Sequence, residues 1–339
     1  MRSVLQLVLL CFILLFSGCG PKVTIRSLKP AEVDMAAMRR LLVLDFDYHL
    51  GGVASIEDFF LGILARSVGL DYGDSYQSRE AASHADDVLL AALAKNGYFI
   101  VLDGGELRTF AKAREKAWSM GAEAIFTGNI DRAHCERTTF IKSEKIHDKK
   151  LNKTVTKEIP WVRQKCDMTL SYRIVRTTDN MSVVKKRFHE THEQEVEEQY
   201  LSNLLSPPDY YEGVVDKIIP RIIKQIAPHE VIETRRLKKN AGHDPDFDRA
   251  MGLVKEGRLK AARTLFHQCW QATLNPTAGF NAAILAESEG DLQAAVNLLG
   301  EIIKVNSDAS ILKEHRRMIK ALGSRIQAEE QLRERKNTN

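Results

Sequence analysis

The sequence predicts an α/β fold, a mixed sheet with helices and an extended β-hairpin, followed by an all-α domain of helical repeats. Three observations predict it. Apolar strand-length runs alternate with helix-period segments between Arg40 and Ile130. Two long, loosely alternating runs flank the polar stretch His147 to Lys153. The segment Ala250–Ala262 matches Ala283–Ala295, an offset close to the roughly 34 residues of a helix–turn–helix repeat.

Taken in order, Val23-Thr24-Ile25 suits a short strand ended by Lys29-Pro30, within a tether spanning 19–38. Arg40-Leu41-Leu42-Val43-Leu44-Asp45-Phe46 reads as a buried strand broken by Gly51-Gly52. Ile56, Phe59, Phe60, Ile63, Leu64 and Val68 have helical spacing up to Leu70, and Asp71 to Arg79 reads as a loop. Glu80 to Asn96 is a helix with Ala85, Leu89, Ala92 and Leu93 on one face, stopped by Gly97. Tyr98–Leu102 is the second strand. Glu106 to Met120 is a helix whose core side is Leu107, Phe110, Ala111, Ala117 and Trp118, and Ala124–Ile130 is the third strand.

A ribbon follows over 131–191. Its core half pairs Ile125–Ile130 with the alternating Met168, Leu170, Tyr172 and Ile174. Its tip is too polar for a core, and a final strand runs from Met181 to Thr191. Tyr210 to Ile226 is a helix in which Pro220 should kink the chain or start a second helix. The α/β domain is thus expected over 39–228, a basic linker over 229–246, and the helical domain over 247–336. In the latter, the Gly257 and Gly290 stops, each followed by Leu and paired Ala, resemble tetratricopeptide repeats. A polar helix from Ala309 to Lys336 would cap the stack.

The charge balance excludes several classes. Net charge is +4, and +3 once Arg2 is removed with the N-terminal segment, too mild for nucleic acid. Of the five cysteines, none is spaced C-x-x-C, so a zinc site is unsupported. His189-Glu190-Thr191-His192-Glu193 has its histidines at i, i+3 rather than the i, i+4 of a zinc helix. No phosphate-loop, dinucleotide or nucleophile-elbow motif occurs, so neither a catalytic residue nor a cofactor is assigned. Cys269, beside Phe266 and Trp270, reads as a packed core thiol.

Cys135 and Cys166 are symmetric about Lys150-Leu151, so a simple hairpin sets them opposite each other. Side-chain alternation points them to opposite faces, which a disulfide cannot bridge. A β-bulge between Ile130 and Cys135 would restore the pair, and both readings stay open.

The N-terminus carries Arg2, the apolar Val4–Phe16 and the small pair Ser17-Gly18 before Cys19. That is a signal-peptide layout, and the apolar run falls short of the ~20 residues that span a bilayer. Phe16-Ser17-Gly18-Cys19 resembles the lipobox of bacterial lipoproteins, implying a signal peptide over 1–18 and lipid on Cys19. Gly20 after it implies, by analogy, the outer membrane facing the periplasm. Together with Leu28–Met35, the strand Arg39–Phe46, Asp87–Leu102 and Gly121–Ile130, the chain resembles the curli-secretion-channel lipoproteins and the periplasmic activators of penicillin-binding proteins. The resemblance spans about 28–228. It implies an anticodon-binding-domain-like α/β fold, homo-oligomeric rings, envelope protein partners and no catalysis. The implied role is a lipid-anchored scaffold or assembly factor for a surface, secretion or cell-wall machine. The alternatives are a secretion-pore subunit and a hydrolase with a cryptic site. Lys142, Glu144, Lys145, Lys157, Glu158, Arg163 and Lys165 leave the ribbon no lipid-facing side.

Overall fold

The computed structural model describes residues 20–35, 37–48, 73–105, 107, 110–148, 153–240, 242 and 244–337. Cys19, the helix expected over Ile56–Leu70 and the ribbon centre Lys150-Leu151 lie outside them. The chain divides into two compact units. One is Ala31–Ala227, and the other joins the segment ending at Pro30 to Pro228–Arg333.

The first unit is a mixed five-stranded sheet with helices. Its elements are β2 (Arg40–Leu44), α1 (Gly73–Asn96), β3 (Ile100–Gly105), α2 (Phe110–Ser119), β4 (Ala124–Asp148), β5 (Lys153–Arg176), β6 (Ser182–Glu197) and α3 (Pro207–Ile226). The strand order is β3-β2-β4-β5-β6. β2 lies parallel to both β3 and β4, while β4, β5 and β6 run antiparallel.

One sheet face is held by aromatic and aliphatic burial. Phe126 stacks on Tyr172 at 5.5 Å and Tyr172 on Phe188 at 6.3 Å, each on the next strand. Gly128 permits the Phe46 ring to lie against β4, because a Cβ there would overlap it. α3 covers this face with Val214, Val215, Ile218, Ile219 and Ile222, spaced for one helix side. Tyr172 Oη donates to Gln225 Oε1 on α3 at 2.6 Å. α3 begins with Ser206 as N-cap and Pro207 in its first turn. Pro220 does not divide it: the helix is continuous, with Pro220 on its exposed side. Where α1 meets the end of β2, Asp86 Oδ1 accepts the Phe46 amide at 2.7 Å. Burial, with Asp45, Asp87 and Asp103 adding repulsion, pushes the Asp86 carboxyl up to about 7.

Several expectations change here. The segment from Gly73, expected to be loop, is helical. Its first residues, Gly-Asp-Ser-Tyr-Gln-Ser, are polar and show no apolar period. α2 is shorter than expected and turns Ala113 and Ala117 to the sheet, leaving Phe110 and Trp118 exposed. Small alanines let the helix approach Leu42, Leu44 and Ile125 closely, and a spacing argument cannot see that preference. The strand expected over Tyr98–Leu102 is β3, which starts at Ile100 after the buried Tyr98 and Phe99, and β6 runs on to Glu197.

The second unit corrects the tether and linker readings. β1 (Lys22–Lys29) and β7 (His229–Arg236) form an antiparallel pair, although the whole first unit separates them in sequence. Val23 and Ile25 are buried by it in the core of the helices α4 (Pro245–Lys255), α5 (Leu259–Thr273), α6 (Pro276–Ser288), α7 (Leu292–Val305) and α8 (Ala309–Asn337). β7 was unreadable because its apolar and charged residues mix on each face and its partner is remote in sequence. The sequence repeat reappears as chemistry. Asn275 and Asp308 each accept backbone amides at a helix start, and Gly257 and Gly290 both take positive φ, 76° and 86°. α6 is buried from Ala278 to Glu287. Within it, Asn281 bonds both the amide and the carbonyl of Lys238 at 2.8 Å, and Glu287 receives two bonds from Arg317.

Candidate functional site: a cystine-based β-ribbon

β4 and β5 pair continuously to Asp148 and Lys153, far past the covered part of the sheet. Ile130 faces Leu170 and Arg132 faces Thr169, so Asp131 is an extra residue in β4. Its carboxylate accepts from Ser171 Oγ at 3.0 Å and from Asn129 Nδ2, and pairs with Arg187 Nε at 2.9 Å. One side chain thereby pins the bulge to β5 and β6. The bulge turns Ala133 and Cys135 onto the face of Phe126 and Ile130. Cys135 sits opposite Cys166 in register, and the two form a disulfide with Cα atoms 4.1 Å apart.

Covering groups continue a little beyond the cystine. Tyr211 Oη lies 3.3 Å from Cys135 Sγ, and Tyr210 Oη donates to the Glu190 carbonyl at 2.7 Å. Burial, with Asp167 and Glu190 nearby, pushes the Tyr210 hydroxyl up to about 12. Gln164, 1 % exposed, donates to Leu205 O and accepts from Arg137 Nε. The buried Val162 is the last covered residue on this face, and Lys153–Glu158 is exposed throughout. His189 contacts Thr169 Oγ1 at 2.9 Å while His192 stacks on Tyr210. Their three-residue offset puts them on opposite faces of β6, so they do not converge. Among the described residues no group of three His, Cys, Asp or Glu is placed to hold a metal. Cys269 is buried in the helical unit, where burial pushes its thiol up.

On the ribbon's other face Phe140 pairs directly with Trp161. Lys142 Nζ lies 3.8 Å from the Trp161 centroid, and the Arg163 guanidinium 5.1 Å from that of Phe140. Glu195 on β6 receives Lys142 at 2.7 Å and Arg163 at 2.6 Å, which holds its carboxyl below the usual range. Each contact is weak and screened by solvent at so exposed a site. Together they order an aromatic and charged surface. Its chemistry suits recognition of another macromolecule, since aromatic and Arg side chains supply most anchoring energy in protein interfaces.

No protein-family model matches the chain, and no curated protein does. Among solved structures, the chain is similar to a PelC dodecamer from Paraburkholderia phytofirmans, at 13% identity over 61% of this chain and 97% of that one, with TM-score 0.25. It is similar to the lipoprotein GNA1162 from Neisseria meningitidis, at 12% identity over 56% of this chain and 97% of that one, TM-score 0.22. A neuraminyllactose-binding hemagglutinin homolog from Helicobacter pylori matches at 9% identity over 59% and 88%, TM-score 0.30. At these scores the role of the ribbon rests on this chain's own residues.

Of the residues singled out in the sequence, Cys135 and Cys166 are brought together. The Phe140–Trp161 cluster was missed, although the symmetry that pairs the cysteines pairs these two aromatics as well.

Proposed function

We propose that this chain is a lipid-anchored protein of the bacterial cell envelope, held at the outer membrane through Cys19 and facing the periplasm. It acts without catalysis, as a scaffold or assembly factor. The ribbon is its docking arm, and the helical unit, read as tetratricopeptide-like repeats, holds a peptide or helix of a partner. The observation that carries this reading is the Cys135–Cys166 bond at the base of a long exposed ribbon. A structural disulfide persists outside the reducing cytoplasm. That agrees with a leader ending in Ser17-Gly18, directly before Cys19. Among the described residues no helix is long and apolar enough to cross a membrane, so the lipid is the proposed anchor.

The test places a photo-cross-linking residue at the exposed Ile141 and, as a control, at the exposed Leu274, in intact envelopes. A discrete envelope protein captured from Ile141 and not from Leu274 is the expected result. Capture of nothing, or the same products from both positions, defeats the docking-arm reading. A detergent-stable ring with channel conductance would instead establish the pore subunit. Cys19→Ser should release the chain from membranes, and its retention in carbonate would remove the lipid anchor.

A further inference from the structure

The β1–β7 pair has two dissimilar faces. The inner face carries Val23 and Ile25, and its cation Arg235 is paired with Glu233 and Glu314. Just beyond β7, Lys238 lies over the Phe280 ring and beside Asp308. The outer face is exposed and carries Lys22 opposite Arg236, Thr24 opposite Thr234, and Arg26 opposite Ile232. Ile232 is 64 % exposed, and the exposed Lys239 follows the strand. The one carboxylate of this face, Glu230, sits at the far end, opposite Leu28. The cationic end is therefore the end nearest Cys19. Leu237 N donates to Pro21 O at 3.0 Å, which holds Pro21 against the basic run Arg235-Arg236-Leu237-Lys238-Lys239.

We infer that this outer face is a contact surface for anionic phospholipid headgroups. The inference rests on the lipid-anchor reading for its orientation. Lys22 follows Cys19 by three residues, a reach of roughly 10 Å when extended. An acylated Cys19 would hold Lys22, and Arg236 opposite it, about one Debye length from the bilayer, with Arg26 four residues further along the same face, where a basic cluster supplies the second signal that firm anchoring needs. Ile232, exposed among these cations, would enter the apolar boundary between headgroups.

The processed chain bearing Cys19→Ser, with no acyl group, tests this by cosedimentation with phosphatidylglycerol–phosphatidylcholine vesicles and with pure phosphatidylcholine vesicles. Binding to the first only, weakening as salt rises, is expected. The triple variant Lys22→Gln, Arg26→Gln, Arg236→Gln should lose affinity on the order of a hundredfold, roughly fivefold per cation. Its thermal unfolding should match the parent. Should the triple variant unfold, the salt titration of the parent decides. No binding to either vesicle, equal binding to both, salt-independent binding, or a folded triple variant that binds like the parent each overturns the inference. Acylation is read separately, from the mass of the membrane-extracted protein. An unmodified Cys19 would defeat the anchor reading and leave the vesicle result standing.

Discussion

Strands β4 and β5 pass through two environments. From Ala124 to Cys135 and from Cys166 to Arg176 they lie under α1 and α3, with Phe126, Ile130, Leu170 and Tyr172 no more than 2 % exposed. Beyond Val162 the same two strands are held by cross-strand pairs, of which Phe140–Trp161 with Lys142, Arg163 and Glu195 is the densest. The first region is stabilised by apolar area removed from water, the second by backbone pairing and weak, solvent-screened contacts. A cystine stands where one regime gives way to the other. Covalent closure is most useful there, because burial no longer fixes the register and a slip of one residue would exchange the faces.

The largest effect should come from the buried region. Phe126→Ala removes the ring between Phe46 and Tyr172 and should cost about 3–5 kcal/mol, read as a lowered urea midpoint. An equal loss from Ile141→Ala on the ribbon would erase the distinction between the two regions.

Replacing both cysteines, Cys135→Ala with Cys166→Ala, opens a closure of 31 residues and should cost about 3 kcal/mol. Protease should then cut β4 and β5 beyond Val162 before the covered half. Simultaneous loss of both halves would show that the ribbon is not a separate stability element.

Charge should separate the regions too. The folded Asp86 titrates near 7 against an ordinary 3.8, so between these values the folded state binds more protons than the unfolded one. Its contribution therefore declines as the pH rises from about 4 to about 7. Asp86→Asn keeps an acceptor for the Phe46 amide and should flatten that decline, gaining about 1–2 kcal/mol at pH 8 once partial exposure is allowed for. Glu195 on the ribbon is held low, so its contribution is present at neutral pH and is lost as the pH falls. A parent whose stability is level from pH 4 to 8 would contradict the Asp86 assignment.

The smallest effect belongs to Lys142→Ala, about 0.5–1 kcal/mol, with weakening in high salt. A loss as large as that from opening the cystine would mean that the ribbon surface is packed far more firmly than its exposure indicates.

Local features were legible in the sequence wherever one segment carried its own signal. The Leu89–Leu93 face and the Met168–Ile174 alternation are set by burial on one side of one element, which imposes a period of 3.6 or 2, the β2 run by burial on both faces, and Gly-x-Leu-x-Ala-Ala by its recurrence. Symmetry about the ribbon tip also set Cys135 opposite Cys166. What no local pattern contained was the Asp131 bulge, since it depends on Ser171 and Arg187 meeting one carboxylate from two other strands. The pairing of β1 with β7 was equally hidden, because strands at opposite ends of so long an intervening segment share no local signal. The sequence by itself thus determined most of the elements, β7 and the first turns of α1 excepted, and many of the residues that face a core. The tertiary structure decided which elements meet, and with that the two surfaces assigned a role here: the ribbon face at Phe140 and Trp161, and the basic face at Lys22, Arg26 and Arg236.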